Sequence, residues 1–160
     1  MKVHALAYFN MGVAYGDLNR YTEAIAAYKA AIAIKPDSAR AYCNMGVAYR
    51  HLKRYPESIA AYKKAIAIKP DYAGAYFNMG FTYRYLNRCT EAIAAYKKAA
   101  VLDPDDAGAY YYMGLTYTKL ERYVEAIESY EKALSLDPRA WWADDARKAV
   151  MELRRGDYGR

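Results

Sequence analysis

Apolar side chains recur along this chain in two alternating helical phases, separated by short polar stops at regular places. Tyr8, Met11, Gly12 and Tyr15 follow the i, i+3, i+4, i+7 spacing of one helical face. A polar break at Asp17 to Arg20 follows, and then Ala24, Ile25, Tyr28, Ala31 and Ile32 take up the same spacing. Lys35-Pro36-Asp37 predicts the stop of that second helix, because proline has no amide donor and pushes the residue before it out of the helical region. Asp37, Ser38, Asp71 and Asp106 stand where N-caps of the following helices are wanted. Pro56 falls at the start of a second helix, where its missing N–H has no partner to lose.

The same pair of helices is written four times. Ala-Tyr-x-Asn-Met-Gly occurs at residues 7–12, 41–46 and 75–80, with a relative at Ala109-Tyr110-Tyr111-Tyr112-Met113-Gly114. Gly12, Gly46, Gly80 and Gly114 are each 34 residues apart, as are Pro36, Pro70, Pro104 and Pro138. Units therefore run 5–38, 39–72, 73–106 and 107–140 after a lead of residues 1–4, and the second and third agree at 20 of 34 positions. In residues 141–155, Trp142, Ala146, Ala149, Val150 and Leu153 share one apolar face, which predicts a terminal helix closing the last unit. Gly156 is its expected C-cap, and residues 156–160 the tail.

Tyr8, Met11-Gly12, Tyr15, Ala24, Tyr28, Ala31 and Pro36, with the same offsets in the other units, resemble the tetratricopeptide repeat pattern over residues 5–140. Tyr stands for the usual Trp, Met for Leu, and Ser58 where other units have Ala24, Ala92 and Ala126. The resemblance implies an all-α fold, a right-handed α-solenoid of antiparallel helix pairs. Close packing explains the pattern: Gly12 and Ala24 let two helices approach, while the rings fill the space between neighbouring pairs. Fifteen of the 20 tyrosines fall on such scaffold positions, leaving Tyr72, Tyr85, Tyr111, Tyr112 and Tyr158.

Composition removes several function classes. A hydrophobic fraction of 55% argues against disorder, and no apolar run approaches the roughly 20 residues that span a bilayer. Met1 to His4 does not read as a signal peptide, so a cytoplasmic location is expected unless the chain is a piece of a longer protein. Cys43 and Cys89 lie 46 residues apart without ligand-like neighbours, so neither a disulfide framework nor a metal site is indicated. His4 and His51 stand alone, and the glycines are too dispersed for a phosphate loop. Asp103, Asp105 and Asp106 lack the Gly and terminal Glu of a calcium loop and read better as caps. No catalytic, cofactor or metal set emerges, and the chain reads as a non-enzyme.

Tetratricopeptide arrays line a concave groove with the first helix of each unit, and that groove takes peptides or partner helices. Phase places Leu6, Phe9, Asn10, Val13 and Asp17 on this face in the first unit, and Arg40, Cys43, Asn44, Val47, Arg50 and His51 in the second. The third contributes Gly74, Phe77, Asn78, Phe81, Arg84 and Tyr85, and the fourth Gly108, Tyr111, Tyr112, Leu115, Thr118 and Lys119. Asn10, Asn44 and Asn78 form a row of amides suited to the backbone of an extended chain. Phe77, Phe81, Tyr85, Tyr111 and Leu115 supply apolar contact. The net charge of +6 lies almost wholly in the second unit, at +5; Arg40, Arg50 and Arg84 face the groove, while Lys53, Arg54, Lys63, Lys64 and Lys69 read as solvated surface. This favours an acidic or carboxylate-bearing partner and makes no nucleic-acid stripe. The family's clamp for chaperone tails wants Lys and Asn where Phe9 and Val13 stand, and Lys and Arg at Gly74 and Asn78; only Asn44 matches. The expected function is therefore a protein-binding scaffold, the groove taking a peptide or helix of a partner. The alternative is self-association, a terminal segment of one copy entering the groove of another.

Overall fold

The computed structural model describes residues 2–156, and every element among them is an α-helix. The order is α1 Lys2–Asp17, α2 Tyr21–Ile34, α3 Ala39–His51, α4 Tyr55–Ile68, α5 Ala73–Tyr85, α6 Cys89–Leu102, α7 Ala107–Lys119, α8 Tyr123–Leu136 and α9 Ala143–Arg155. α1 begins ahead of Ala5, so the described part of the expected lead is helical. Tyr158 and the expected tail beyond Gly156 lie outside the described residues. No helix among the described residues is long and apolar enough to cross a membrane.

The chain forms two compact units that divide within α5, one of residues 1–82 and one of residues 83–160. In the first, α1 packs on α2, α2 on α3 and α3 on α4, and α1 also touches α3. In the second, α6 packs on α7, α7 on α8, and α8 on α9. The glycine at the middle of each first helix explains the close approach within a pair. A Cβ on Gly12 would lie 2.6 Å from the Tyr28 ring, one on Gly46 2.7 Å from Tyr62, and one on Gly114 2.7 Å from Tyr130. Those rings are buried, so there is no space into which they could swing. Ser58, the departure from alanine, is buried with its Oγ donating to the Gly46 carbonyl at 2.8 Å, and Thr82 Oγ1 lies 3.4 Å away.

Each turn from a first helix to a second is built alike. Asn19, Lys53, Asn87 and Glu121 adopt left-handed φ of 58–59°. In the first turn, Asn19 N–H bonds the Gly16 carbonyl and Arg20 N–H reaches back to Tyr15, the paired bonds of a Schellman cap. Arg20 then lays its guanidinium over the Tyr15 ring at 4.7 Å and pairs with Glu23 at 2.8 Å. Arg54, Arg88 and Arg122 repeat this over Tyr49, Tyr83 and Tyr117, paired with Glu57, Glu91 and Glu125. Arg54 is exposed, in line with its reading as solvated surface, and is also held in this pair. Two of the four expected N-caps form and two do not. Ser38 accepts from Ala41 N–H and Asp106 from Gly108 and Ala109, but Asp37 and Asp71 sit one residue too early.

Candidate functional site

The exposed face of the first helices was expected to carry the site, and its parts differ between the two units. In the first unit, α1 and α3 run beside one another and leave two cavities. One, of about 320 Å³, has Ala5, Leu6, Phe9 and Ala31 as its apolar lining and Lys35, Ser38 and Arg40 at its polar side. Leu6 is 60% exposed, Phe9 is tilted against Tyr28 with centroids 5.8 Å apart, and the Arg40 guanidinium lies 5.1 Å over the Phe9 ring. The other, of about 280 Å³, lies further along the same two helices, between Val13, Gly16 and Asp17 on α1 and Asn44, Val47 and His51 on α3, with Tyr21 and Tyr28 beneath. His51 stacks on Tyr21 at 4.4 Å, nearly parallel. Partial burial, and then the Arg50 charge beside it, lower the His51 pKa, so the ring is neutral at neutral pH. Asp17 is thus the only carboxylate among the residues lining this cavity, and nothing lining it is cationic.

Further along the first unit, Phe77 and Phe81 stack at 6.4 Å and Arg50 covers Phe81 at 5.0 Å. Arg50 Nε is buried there without a hydrogen-bond partner, as is the Tyr62 hydroxyl, whose burial pushes its pKa up to about 12. The row of amides is not a free ladder. Asn10 is exposed and Asn44 is half-buried, sharing the second cavity with Tyr28, but Asn78 Nδ2 donates to the Gly74 carbonyl at 2.8 Å. Helix geometry sets that competition: a carboxamide four residues after a carbonyl can bond back to it. Cys43, read as a groove residue, is buried behind Tyr72; burial pushes the thiol up to about 11, with the Tyr72 hydroxyl beside it opposing.

In the second unit the corresponding face is filled by the chain itself. Tyr111, expected to stand open for a partner, is only 5% exposed. The Trp142 ring stacks on it at 4.7 Å and 13°, Trp141 meets it edge-on at 6.2 Å, and Tyr130 lies tilted at 6.0 Å. Trp142, Ala146, Val150 and Leu153 are buried against their own unit, so α9 already spends its apolar face within the chain. Tyr112 stacks on Tyr96 at 6.0 Å with Arg84 over it at 5.1 Å, Leu115 is half-buried, and Tyr85 is 56% exposed. A third cavity, of about 470 Å³, opens on the other side of α7, where Tyr110, Met113 and Tyr117 face Val101 and Lys132. Both cysteines are free, and among the described residues no cluster of His, Cys, Asp or Glu could hold a metal.

The Arg–Glu pairs over tyrosine went unread in the sequence, although Arg20/Glu23, Arg54/Glu57, Arg88/Glu91 and Arg122/Glu125 recur at 34-residue steps. So did the register of Trp142, which stands 102 residues, three full periods, after Arg40.

Comparison with known proteins agrees with the helix pattern. Models of the tetratricopeptide repeat match residues 9–73, 61–94, 82–120 and 107–139. No curated protein matches the sequence significantly. Among solved structures, a crystal structure of MamA superposes with a TM-score of 0.80 at 25% identity, covering 100% of this chain and 98% of that one. PilF of Pseudomonas aeruginosa gives 0.84 at 22% identity, over 96% of this chain and 69% of that one. The first tetratricopeptide domain of Spaghetti (RPAP3), bound to the HSP90 peptide SRMEEVD, gives 0.73 at 24% identity, over 76% and 96%.

Proposed function

Since this chain belongs to the tetratricopeptide repeat family, we propose that it is a protein-interaction scaffold that takes an extended or helical segment of a partner on its first helices. The repeats would run 5–38, 39–72, 73–106 and 107–140, with 141–155 as the closing helix. One observation carries the reading: the α1–α3 face retains two apolar-walled cavities, whereas the equivalent face of the last repeat is packed shut by Trp142. Cavities that the chain's own side chains do not fill are the kind of surface a ligand occupies. The RPAP3 domain of like fold, seen with a peptide bound, supports a segment as the kind of ligand.

Phe9, Val13 and Val47 would give apolar contact in the first unit, with Phe77 and Phe81 continuing it under Arg50. Asn10 and Asn44 offer their amide functions, and Asn78 what its internal bond leaves free. Arg40 and Arg50 supply positive charge; in the second unit Arg84, Tyr85, Tyr112 and Leu115 are the corresponding candidates, and Tyr111 supports them from below. The test compares binders captured by the wild-type chain and by a Val13→Arg/Val47→Arg variant. Both positions are half-buried at the cavity rim, so helicity by circular dichroism is expected to hold. Binders lost selectively from the variant are the expected result; an identical set on both proteins would sink the reading.

A further inference from the structure

The two cavities on the α1–α3 face have opposite polarity. At the α1 N-terminal end, Lys35 and Arg40 flank the floor made by Leu6, Phe9 and Ala31, and no carboxylate is among the described residues lining the cavity. At the other end, Asp17 lies beside the Asn44 amide and the Tyr28 hydroxyl, and its negative charge bears on that hydroxyl. Phe9 and Asp17 are eight residues apart on one helix, which at the α-helical rise is about 12 Å. An extended chain covers that distance in about four residues.

The last repeat shows what the first cavity can hold. Leu6, Phe9, Lys35 and Arg40 correspond, at a spacing of 102 residues, to Gly108, Tyr111, Asp137 and Trp142. Phe9 leans on Tyr28 at 5.8 Å and 51°, and Tyr111 on Tyr130 at 6.0 Å and 53°, so the two floors are built alike. Where the last repeat lays an indole on that floor and has Asp137 in the register of Lys35, the first lays only the Arg40 guanidinium over Phe9 and keeps a cavity flanked by two cations. The first cavity therefore suits an apolar side chain next to a carboxylate.

Resting on the scaffold reading above, we infer that the α1–α3 face selects a charge-polarised partner segment. An acidic residue adjoining an apolar anchor sits at Lys35, Arg40 and Phe9, and a basic residue about four positions away sits at Asp17 and Asn44. Charges placed this way fix the register and direction of the bound segment as well as adding affinity. The basic pair is not the family's chaperone-tail clamp, whose positions here hold Phe9, Val13, Gly74 and Asn78.

The experiment uses the full chain and an array of capped six-residue peptides in a Ser/Gly frame, carrying Asp, Leu and Lys in every arrangement. Retention is expected for peptides with Leu beside Asp and Lys about four positions on, and about tenfold weaker when Asp and Lys are exchanged around the fixed Leu. The paired reversal Arg40→Glu/Asp17→Lys is expected to prefer the exchanged peptides. Both positions are exposed, so the variant's fold, checked by its melting curve, keeps the comparison valid. Peptides retained without regard to that arrangement, yet lost on Val13→Arg/Val47→Arg, would overturn the polarity and leave the scaffold reading standing. Retention of none would overturn both.

Discussion

Phe9 in the first unit and Tyr111 in the second occupy the same place in their repeats and meet opposite fates. Each leans on the tyrosine of its own second helix at about the same angle. Over Phe9 comes Arg40, a guanidinium on a flexible stem that leaves a cavity of about 320 Å³. Over Tyr111 comes Trp142, a broad ring stacked at 4.7 Å that leaves it almost wholly buried. One position in the repeat, occupied by Arg or by Trp, thus decides whether a first-helix face keeps an open cavity or becomes core. The middle of the first unit shows a third solution. Gly74 is the residue in register there, and Tyr72 from the preceding turn covers Cys43 instead, raised to a pKa of about 12 by burial and then by that cysteine.

The comparison breaks most severely at its indole. Trp142→Ala is expected to lower stability by about 3–5 kcal/mol, the range for removing a large buried aromatic side chain. Arg40→Ala, in the same register, removes one cation–π contact and is expected to cost about 1 kcal/mol or less. Denaturant unfolding of both variants measures the gap. Similar losses would mean that Trp142 covers Tyr111 without holding the second unit together.

Next in size come the glycines, where the two units should agree. Gly46→Ala and Gly114→Ala each drive a methyl group to 2.7 Å from a buried ring and are expected to cost about 1–3 kcal/mol. Gly16→Ala is the contrast, since nothing lies within 4 Å of its Cβ position near the end of α1. It is expected to stabilise by up to about 1 kcal/mol through helix propensity alone. Melting temperatures of the three variants would expose any unit-specific slack, as a Gly114 cost well below that of Gly46.

How much of this could be read in advance divides along the same line. The helix pairs, the 34-residue period, the glycine–tyrosine approach and the αL cap at Gly156 follow from local spacing, and spacing is what a sequence displays. Which polar groups are already committed is not displayed. Asn10, Asn44 and Asn78 are alike in sequence, but one is open, one is half-buried in a cavity with a tyrosine from another helix, and one bonds back to its own backbone. Tyr111 is hidden for a related reason. Residues 141–155 break the repeat's motif, so the spacing shows Trp142 on a new amphipathic face and conceals the continuing period that carries it over Tyr111. Phase shows which way a side chain points, but what has already been laid on top depends on the next element.

The first-helix turns offer a smaller test that separates the units again. Lys53 and Glu121 hold φ near 59° and 58°, where Asn19 and Asn87 stand in the other two repeats. A residue with a longer side chain is disfavoured in this region by about 1 kcal/mol, and Asn tolerates it by bonding locally. Lys53→Asn and Glu121→Asn are each expected to raise stability by up to about 1 kcal/mol, additively because the sites lie in different units. A double variant that gains only as much as one single variant would show that the two turns are coupled.

The smallest expected effect lies in the Arg–Glu pairs beside those turns. Their hydrogen bonds from Arg20, Arg54, Arg88 and Arg122 hold the Glu23, Glu57, Glu91 and Glu125 carboxylates below the usual glutamate range. A carboxylate whose pKa is depressed by folding contributes stability that is complete above its unfolded value, about 4.3, and is lost as pH falls through the folded value. All four pairs are open to solvent, so each contributes little and salt weakens it further. Glu57→Gln and Glu125→Gln should therefore lower the melting temperature slightly at pH 7, equally in the two units, and narrow the difference from wild type as pH drops below 4. The equality is the informative part, because the pair is built the same way in both units whatever covers the face beside it. An unequal loss would show that α9, which belongs to the same unit as Glu125, reaches further than the Trp142–Tyr111 stack.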